Sequence, residues 1–143
     1  METIRSFRDL HVWQKAVELA VKVYRITSSF PKPEQYGLTS QMRRAAVSVG
    51  SNIAEGHRRS NPDFARYLTM ALGSLAELET QVEISRRIEY LSREVYDDLL
   101  DEMNQLGRQL TTLHHRVTDS MPKPATNNQQ PVTDRQHPTT DSQ

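Results

Sequence analysis

The sequence predicts an all-α protein: an up-down antiparallel four-helix bundle followed by a disordered C-terminal tail. Two observations support this fold class. Apolar residues recur every three or four positions in four successive segments, the spacing that places side chains on one face of an α-helix. The 143-residue chain also contains only five glycines and few aromatic residues, and this composition favours helix over sheet.

The first predicted helix covers residues 9–29 and is apolar along two lines. One line comprises Leu10, Trp13, Val17, Ala20 and Tyr24, and the other comprises Val12, Ala16, Leu19, Val23, Ile26 and Phe30. A helix that is apolar over so much of its girth needs more than one neighbouring helix, or a second subunit. We therefore expect a homo-oligomer. The candidate interface residues are Val12, Trp13, Ala16, Leu19 and Val23.

Three further helices follow, with boundaries set by local signals. The second spans residues 38–55, and Gly56 is expected to end it in a left-handed conformation. The third spans residues 62–89 and begins at a cap residue followed by Pro62. Ser92 can cap the fourth helix, which runs to residue 117. Three glycines inside these helices are expected to mark close helix crossings: Gly50, Gly73 and Gly107.

The domain organisation follows from a change in composition after residue 117. Residues 1–117 form the predicted bundle domain. Residues 118–143 are rich in Pro, Thr, Asn and Gln and almost lack apolar side chains. Such a segment cannot bury enough surface to offset the entropy of ordering, so we predict a disordered polar tail.

A line of polar residues runs through the small-residue segment 43–56. Arg44, Ser48, Asn52 and Glu55 share one helical face, so we expect them to be partnered at a helix junction. Glu77 and Glu79 lie two positions apart and diverge on the third helix. One interpretation pairs one of them with an arginine at position 43 or 44, fixing the helix register. The alternative is one solvated and one boundary glutamate.

The net charge of zero conceals an asymmetry. Residues 1–59 carry three lysines and seven arginines against five acids, giving +5, whereas residues 60–117 carry six arginines against ten acids, giving −4. The two halves can attract each other within one fold or between subunits. Short basic clusters provide the candidate nucleic-acid contacts, although such clusters are commonly solvated surface. The candidates are Arg43, Arg58, Arg59, Arg86 and Arg87.

Several function classes have no support in the sequence. There is no cysteine, and no Glu-x-x-His motif of the kind that builds di-metal sites in helical bundles. No nucleophile–base pair or phosphate-binding loop is recognisable, so we expect no catalytic, metal or cofactor site and no enzymatic activity. The N-terminus lacks the apolar run of a signal peptide, and no segment is long enough to span a bilayer. We expect a cytoplasmic protein without a membrane partner.

Several motifs resemble those of the bacterial four-helix bundle family known as 23S rRNA-intervening sequence proteins. The likeness covers roughly residues 6–117. It rests on Asp9-Leu-His-Val-Trp-Gln-Lys-Ala16, Phe30-Pro31, Tyr36-Gly-Leu-Thr-Ser-Gln-Met-Arg-Arg-Ala-Ala46, Ser48, Asn52-Ile-Ala-Glu-Gly56 and Gly73-Ser-x-x-Glu-Leu-Glu79. The resemblance implies an up-down bundle that assembles as a homopentameric ring or barrel. The family name describes where its genes lie.

The resemblance leaves two functions open. For most of the family no biochemical activity is established, which agrees with a non-enzymatic scaffold or adaptor. A distant branch comprises accessory proteins of diversity-generating retroelements, which are basic barrels that engage a reverse transcriptase and nucleic acid. This chain is neutral and departs from that branch. The alternative function is a weak, electrostatic RNA- or DNA-binding module, associated with ribosomal RNA or with a reverse transcriptase.

Overall fold

A computed structural model describes residues 4–122 and confirms the all-α prediction. No strand occurs within that range. A 3₁₀ helix at Phe7–Asp9 precedes α1, and another at Lys32–Tyr36 connects α1 to α2. The four long helices are α1 (His11–Thr27), α2 (Leu38–His57), α3 (Asn61–Arg87) and α4 (Arg93–Asp119). The predicted tail lies, from residue 123 onward, outside the described residues, and α4 continues two residues past its predicted end.

Local capping explains where several of these helices begin. The Ser6 side chain accepts a hydrogen bond from the backbone N–H of Arg8, 3.1 Å away, and starts the first 3₁₀ helix. Ser92 caps α4 as predicted, accepting from the backbone N–H of Val95 at 3.3 Å. At the start of α3, Pro62 occupies the first turn, where its missing N–H has no helical partner to lose.

Gly56 has a different role from the predicted one. α2 continues through it to His57, and no glycine among residues 4–122 has a positive φ. Gly56 is buried, and a Cβ built there would lie 2.5 Å from Cβ of Tyr67 and 3.1 Å from the Phe64 ring. The prediction of a left-handed helix stop was therefore wrong. The residue must be small because α3 passes directly over it.

The other glycines divide into two groups. A Cβ at Gly50 would lie 3.6 Å from Cβ of Ala16, and one at Gly107 would lie 3.5 Å from Cδ2 of Leu75, which are ordinary contact distances across helix pairs. A Cβ at Gly73 would meet nothing within 4 Å. The expectation of a helix crossing within the subunit was thus wrong for Gly73, which lies on the outer surface of α3.

The four helices form a square in which α2 packs against α1 and α3, and α4 packs against α3 and α1. The core is filled by aliphatic and methionine side chains from all four helices. The largest fully buried ones are Leu19, Met42, Ile53, Leu68, Leu78, Leu99, Met103 and Leu110. Each helix therefore has one inner face that packs in the core and one outer face that lies on the surface of the bundle.

Candidate functional site

An apolar groove runs along the surface between α1 and α2. Its volume is about 600 Å³, and its walls are almost entirely aliphatic or aromatic. Val17, Val21, Tyr24 and Val47 are between 38 and 45% exposed in the groove. A contiguous apolar surface that is concave and edged by polar residues is a candidate interaction site.

The groove is lined by only part of the interface predicted from the sequence. Val12, Ala16, Leu19 and Val23 are buried, none more than 7% exposed, because that line of α1 faces the core, where α1 packs against α2 and α4. Of the five predicted residues, Trp13 alone retains appreciable surface at the groove. The α1 surface open to a partner is therefore the first apolar line from Trp13 onward, together with Val21.

The outer face of α3 carries a second unpartnered stripe. Met70, Gly73, Glu77 and Ile84 are exposed and follow one another at intervals of three, four and seven residues, which places them on one side of the helix. Met70 and Ile84 are 47 and 45% exposed. The stripe is thus apolar at both ends, lacks a side chain at Gly73, and has one carboxylate at its centre.

Three of the four residues in the predicted polar line are hydrogen-bonded, two of them across the α2–α3 junction. The hydroxyls of Ser48 and Ser74 are 2.8 Å apart and hydrogen-bonded. Asn52 donates through Nδ2 to the carbonyl oxygen of Ser48 at 2.9 Å. Glu55 accepts from the hydroxyl of Tyr67 at 3.1 Å. The bonds of Ser48 and Glu55 join α2 to α3, whereas the bond of Asn52 lies within α2.

Arg44, the fourth member, is exposed and makes no hydrogen bond or ion pair within residues 4–122. Neither Glu77 nor Glu79 has a partner in the same range, so the expected arginine–glutamate pair does not form within the subunit. Arg43 turns towards α1 instead, donating to Thr27 Oγ1 at 2.9 Å and to the Tyr24 carbonyl oxygen at 3.2 Å. Its guanidinium satisfies groups in the last turn of α1.

Most of the predicted nucleic-acid contacts are paired with acids. Arg59 binds Glu55 at 3.1 Å, and Arg86 and Arg87 bind Glu83 at 2.7 and 3.0 Å. Arg58 has no carboxylate partner in the described chain and stacks over the Phe7 ring, 5.3 Å from its centroid.

The ion pairs at Glu83 also perturb its titration. Hydrogen bonds from Arg86, then from Tyr96 and Arg87, lower the pKa of Glu83 from its usual value of 4.5 to about 2. The hydroxyl of Tyr96 donates to Glu83 at 2.6 Å.

Because α3 is 27 residues long, the arginine clusters near its two ends, Arg58 with Arg59 and Arg86 with Arg87, are separated by roughly 40 Å. They cannot form one continuous basic patch on a single subunit.

A cleft between the start of α1 and the C-terminal half of α4 was missed by the sequence analysis. Its lining includes Arg5, Arg108 and Arg116, which are far apart in the sequence and belong to no basic cluster. The only signal was the exposed side of the α4 pattern, where Arg108 and Arg116 recur after about two helical turns. No property of a single helix indicates that these residues meet the N-terminal segment.

Two classes of feature are absent from the described part of the chain. Residues 4–122 contain no group of three or more His, Asp or Glu side chains arranged to hold a metal ion. Over the same range, none of the helices combines the length and the apolar character that crossing a bilayer requires.

Comparisons with known proteins point in one direction. A sequence model of the family described as 23S rRNA-intervening sequence protein matches residues 8–112. Among solved structures, the chain resembles a protein of unknown function from the S23 ribosomal protein family of Bacteroides thetaiotaomicron. The two share 27% identity and superimpose with a TM-score of 0.65, covering 72% of this chain and 97% of the other. No curated protein matches the chain.

Proposed function

Because the chain belongs to the 23S rRNA-intervening sequence protein family, as its motifs predicted, we propose that it is a non-enzymatic, self-assembling bundle that serves as a scaffold or adaptor in the cytoplasm. The apolar α1–α2 groove carries this proposal. Burying its exposed side chains would contribute roughly 25 cal/mol for each square ångström removed from water. The pentameric ring is the assembly that the family resemblance implies.

The α3 stripe of a second copy is the occupant we propose for the groove. Gly73 allows the α3 backbone to approach closely, while Met70 and Ile84 supply apolar side chains on either side of it. Arg25 lines the groove, and Arg44 precedes the lining residue Val47 by three positions on α2; both are exposed and form no ion pair within residues 4–122. They complement the equally unpaired Glu77 at the centre of the stripe, so both shape and charge favour this pairing.

The position of the two surfaces supports a closed ring. The groove lies on the α1–α2 side of the square, and the stripe lies on the outer face of α3 next to it. Contact between two different surfaces generates a ring when the rotation closes and a filament when it does not. Surfaces on neighbouring sides of a bundle turn each successive copy through a large angle, which favours closure.

Assembly is tested by charging the groove without disturbing the core. Val17→Glu combined with Val47→Glu should convert the oligomer to a folded monomer in sedimentation-velocity experiments, because both side chains are exposed in the subunit. Thr111→Glu on the outer surface of α4 is the matched control and should leave assembly intact. A wild-type monomer at micromolar concentration would refute the proposal.

A second variant tests the proposed occupant. Gly73→Leu has open space within its own subunit, so the chain should stay folded, yet the added side chain should obstruct the groove of the next copy. Loss of the oligomer with unchanged helicity would support the α3 stripe as the occupant. If the Gly73→Leu oligomer formed with wild-type affinity, another surface would have to fill the groove.

An electrostatic RNA- or DNA-binding module is the second candidate function, and one observation favours it. α1 begins, α2 meets α3 and α4 ends at the same end of the antiparallel bundle, and this end carries Arg8, Arg58 and Arg116 without carboxylate partners in the described chain. A ring would repeat this set once for each copy, and repeated weak contacts gain through effective concentration.

Mobility shifts on single- and double-stranded RNA and DNA at low salt test this candidate. Binding should weaken steeply as salt rises, because each neutralised phosphate releases counterions. Arg58→Glu with Arg59→Glu should abolish binding in a folded oligomer, whereas the control Arg93→Glu, at the other end of the bundle, should not. If no nucleic acid shifts with a confirmed oligomer, the scaffold function alone remains.

A further inference from the structure

The cleft between α1 and α4 is a large cavity that the proposed assembly does not use. Its volume is about 1030 Å³, comparable to the upper range of small-molecule sites. Further along the same helix pair, Lys22 joins α1 to α4 by donating to Asp98 and, at 2.7 Å, to Glu102. No hydrogen bond or ion pair of residues 4–122 joins α1 to α4 at the cleft.

The charged groups of the cleft favour an anion. Arg5, Arg108 and Arg116 line it, and none of their guanidinium groups forms an ion pair within residues 4–122. The single lining carboxylate, Asp9, accepts hydrogen bonds from the backbone N–H groups of Arg5 and Ser6 at 2.9 and 3.1 Å. Guanidinium groups bind phosphate in a bidentate manner, which a carboxylate-rich or uncharged pocket cannot do.

The remaining lining favours a ligand with an apolar body and a group that hydrogen-bonds to an amide. Leu10, Val12 and Leu113 form an aliphatic wall beside the arginines. Gln109 also lines the cleft, and its side-chain amide, whose oxygen Oε1 is buried, forms no hydrogen bond within residues 4–122. Because an unsatisfied amide is costly, a ligand that hydrogen-bonds to it gains there.

We propose that this cleft binds a nucleoside monophosphate unit. The phosphate binds Arg108 and Arg116, the base packs on the aliphatic wall, and a polar edge of the base hydrogen-bonds to the Gln109 amide. Inorganic phosphate leaves the wall and the amide unused, and an aliphatic phosphate leaves the amide unused. The same unit occurs as a free nucleotide and as the phosphorylated end of an RNA strand. The site is separate from the groove, so it does not depend on the proposed assembly.

Calorimetry with the full chain tests the proposal, using AMP, GMP, CMP and UMP as ligands. At least one nucleotide should bind with a Kd of about a millimolar or tighter. Inorganic phosphate and the matching nucleoside should each bind at least about tenfold more weakly, since each lacks half of the contacts. Failure of all four nucleotides to bind, or equally tight binding of inorganic phosphate, would overturn the proposal.

Variants distinguish binding at the cleft from nonspecific binding to surface charge. Arg108→Ala with Arg116→Ala should weaken nucleotide binding at least about tenfold, because charge-assisted contacts to phosphate are lost. Gln109→Leu should weaken nucleotide binding and leave the weak binding of inorganic phosphate unchanged. The matched control Arg93→Ala removes an arginine of α4 that is 92% exposed and remote from the cleft, and it should bind like the wild type. An equal loss in this control would refute the site.

Two further measurements complete the test. Should the double arginine variant unfold on thermal melting, Thr112→Glu replaces it, since it adds a negative charge to the cleft from an exposed helix position. It should also weaken binding. Short RNAs with and without a terminal phosphate are then competed against the bound nucleotide. If only the phosphorylated RNA competes, the proposal is supported and the natural ligand is the phosphorylated end of an RNA strand. If neither RNA competes, the proposal is supported and the natural ligand is a free nucleotide. Equal competition by both RNAs would contradict recognition of a terminal phosphate and overturn the proposal.

Discussion

The same substitution at two helical glycines should change the stability of this protein in opposite directions. Replacing glycine by alanine inside a helix restricts the unfolded chain and favours helix by up to about 1 kcal/mol. At Gly73 an added Cβ meets nothing within 4 Å, so Gly73→Ala should keep this gain. We expect the free energy of unfolding of the subunit to rise by about 0.5–1 kcal/mol.

At Gly56 the same gain is outweighed by a steric conflict. The added Cβ would lie 2.5 Å from Cβ of Tyr67, an atom that no rotamer change can move, and 3.1 Å from the Phe64 ring. Either α2 and α3 must separate or the backbone must bend, and overpacking of this kind costs about 1–3 kcal/mol. The 2.5 Å approach places this cost in the upper part of that range, about 2–3 kcal/mol. After a propensity gain of about 1 kcal/mol is subtracted, Gly56→Ala should lower the free energy of unfolding by about 1–2 kcal/mol.

Urea unfolding followed by far-UV circular dichroism measures both effects. The curves need several protein concentrations, because assembly of the folded chain adds stability by mass action and Gly73 lies on the proposed interface. Gly50→Ala is an internal reference, since its added Cβ would make an ordinary contact at 3.6 Å with Ala16. The reasoning is refuted if Gly56→Ala is as stable as the wild type, or if Gly73→Ala destabilises the dissociated subunit.

Three other changes have defined outcomes. Glu83 has a lowered pKa, so its stabilising contribution is complete above pH 4.5 and lost as pH falls towards about 2; Glu83→Gln should remove that part of the acid dependence of the urea midpoint. Desolvation is the largest single effect on the Lys22 pKa and lowers it, but the hydrogen bonds to two α4 carboxylates together outweigh it, so the pKa is raised. Lys22→Met should therefore cost about 0.5–1 kcal/mol near neutral pH, and this difference should shrink above pH 10.5. A double-mutant cycle of Ser48→Ala and Ser74→Ala should give a coupling of about 0.5–1.5 kcal/mol, and a coupling of zero would contradict the hydrogen bond between them.

The sequence by itself determined the four helices and most of their limits. Spacing of apolar residues depends only on the geometry within one helix, and the start signals at Pro62 and Ser92 act on their own first turns. The shared face of the polar line was also predictable, because positions 48, 52 and 55 lie on one face of α2 whatever packs against it. These features depend on interactions within one helix, so the sequence alone is enough to predict them.

Tertiary structure alone decided which neighbour each surface meets. Both apolar lines of α1 satisfy the same periodicity, and only the placement of the other helices buries Val23 while leaving Val17 exposed. In the sequence Gly56 resembles a helix stop, and only the path of α3 shows that this position has no room for a side chain. Arg108 joins Arg5 at one cleft because the N-terminal segment lies beside the C-terminal half of α4. Each of these outcomes depends on interhelical distances and crossings, which arise from packing all four helices at once and are encoded in no one segment.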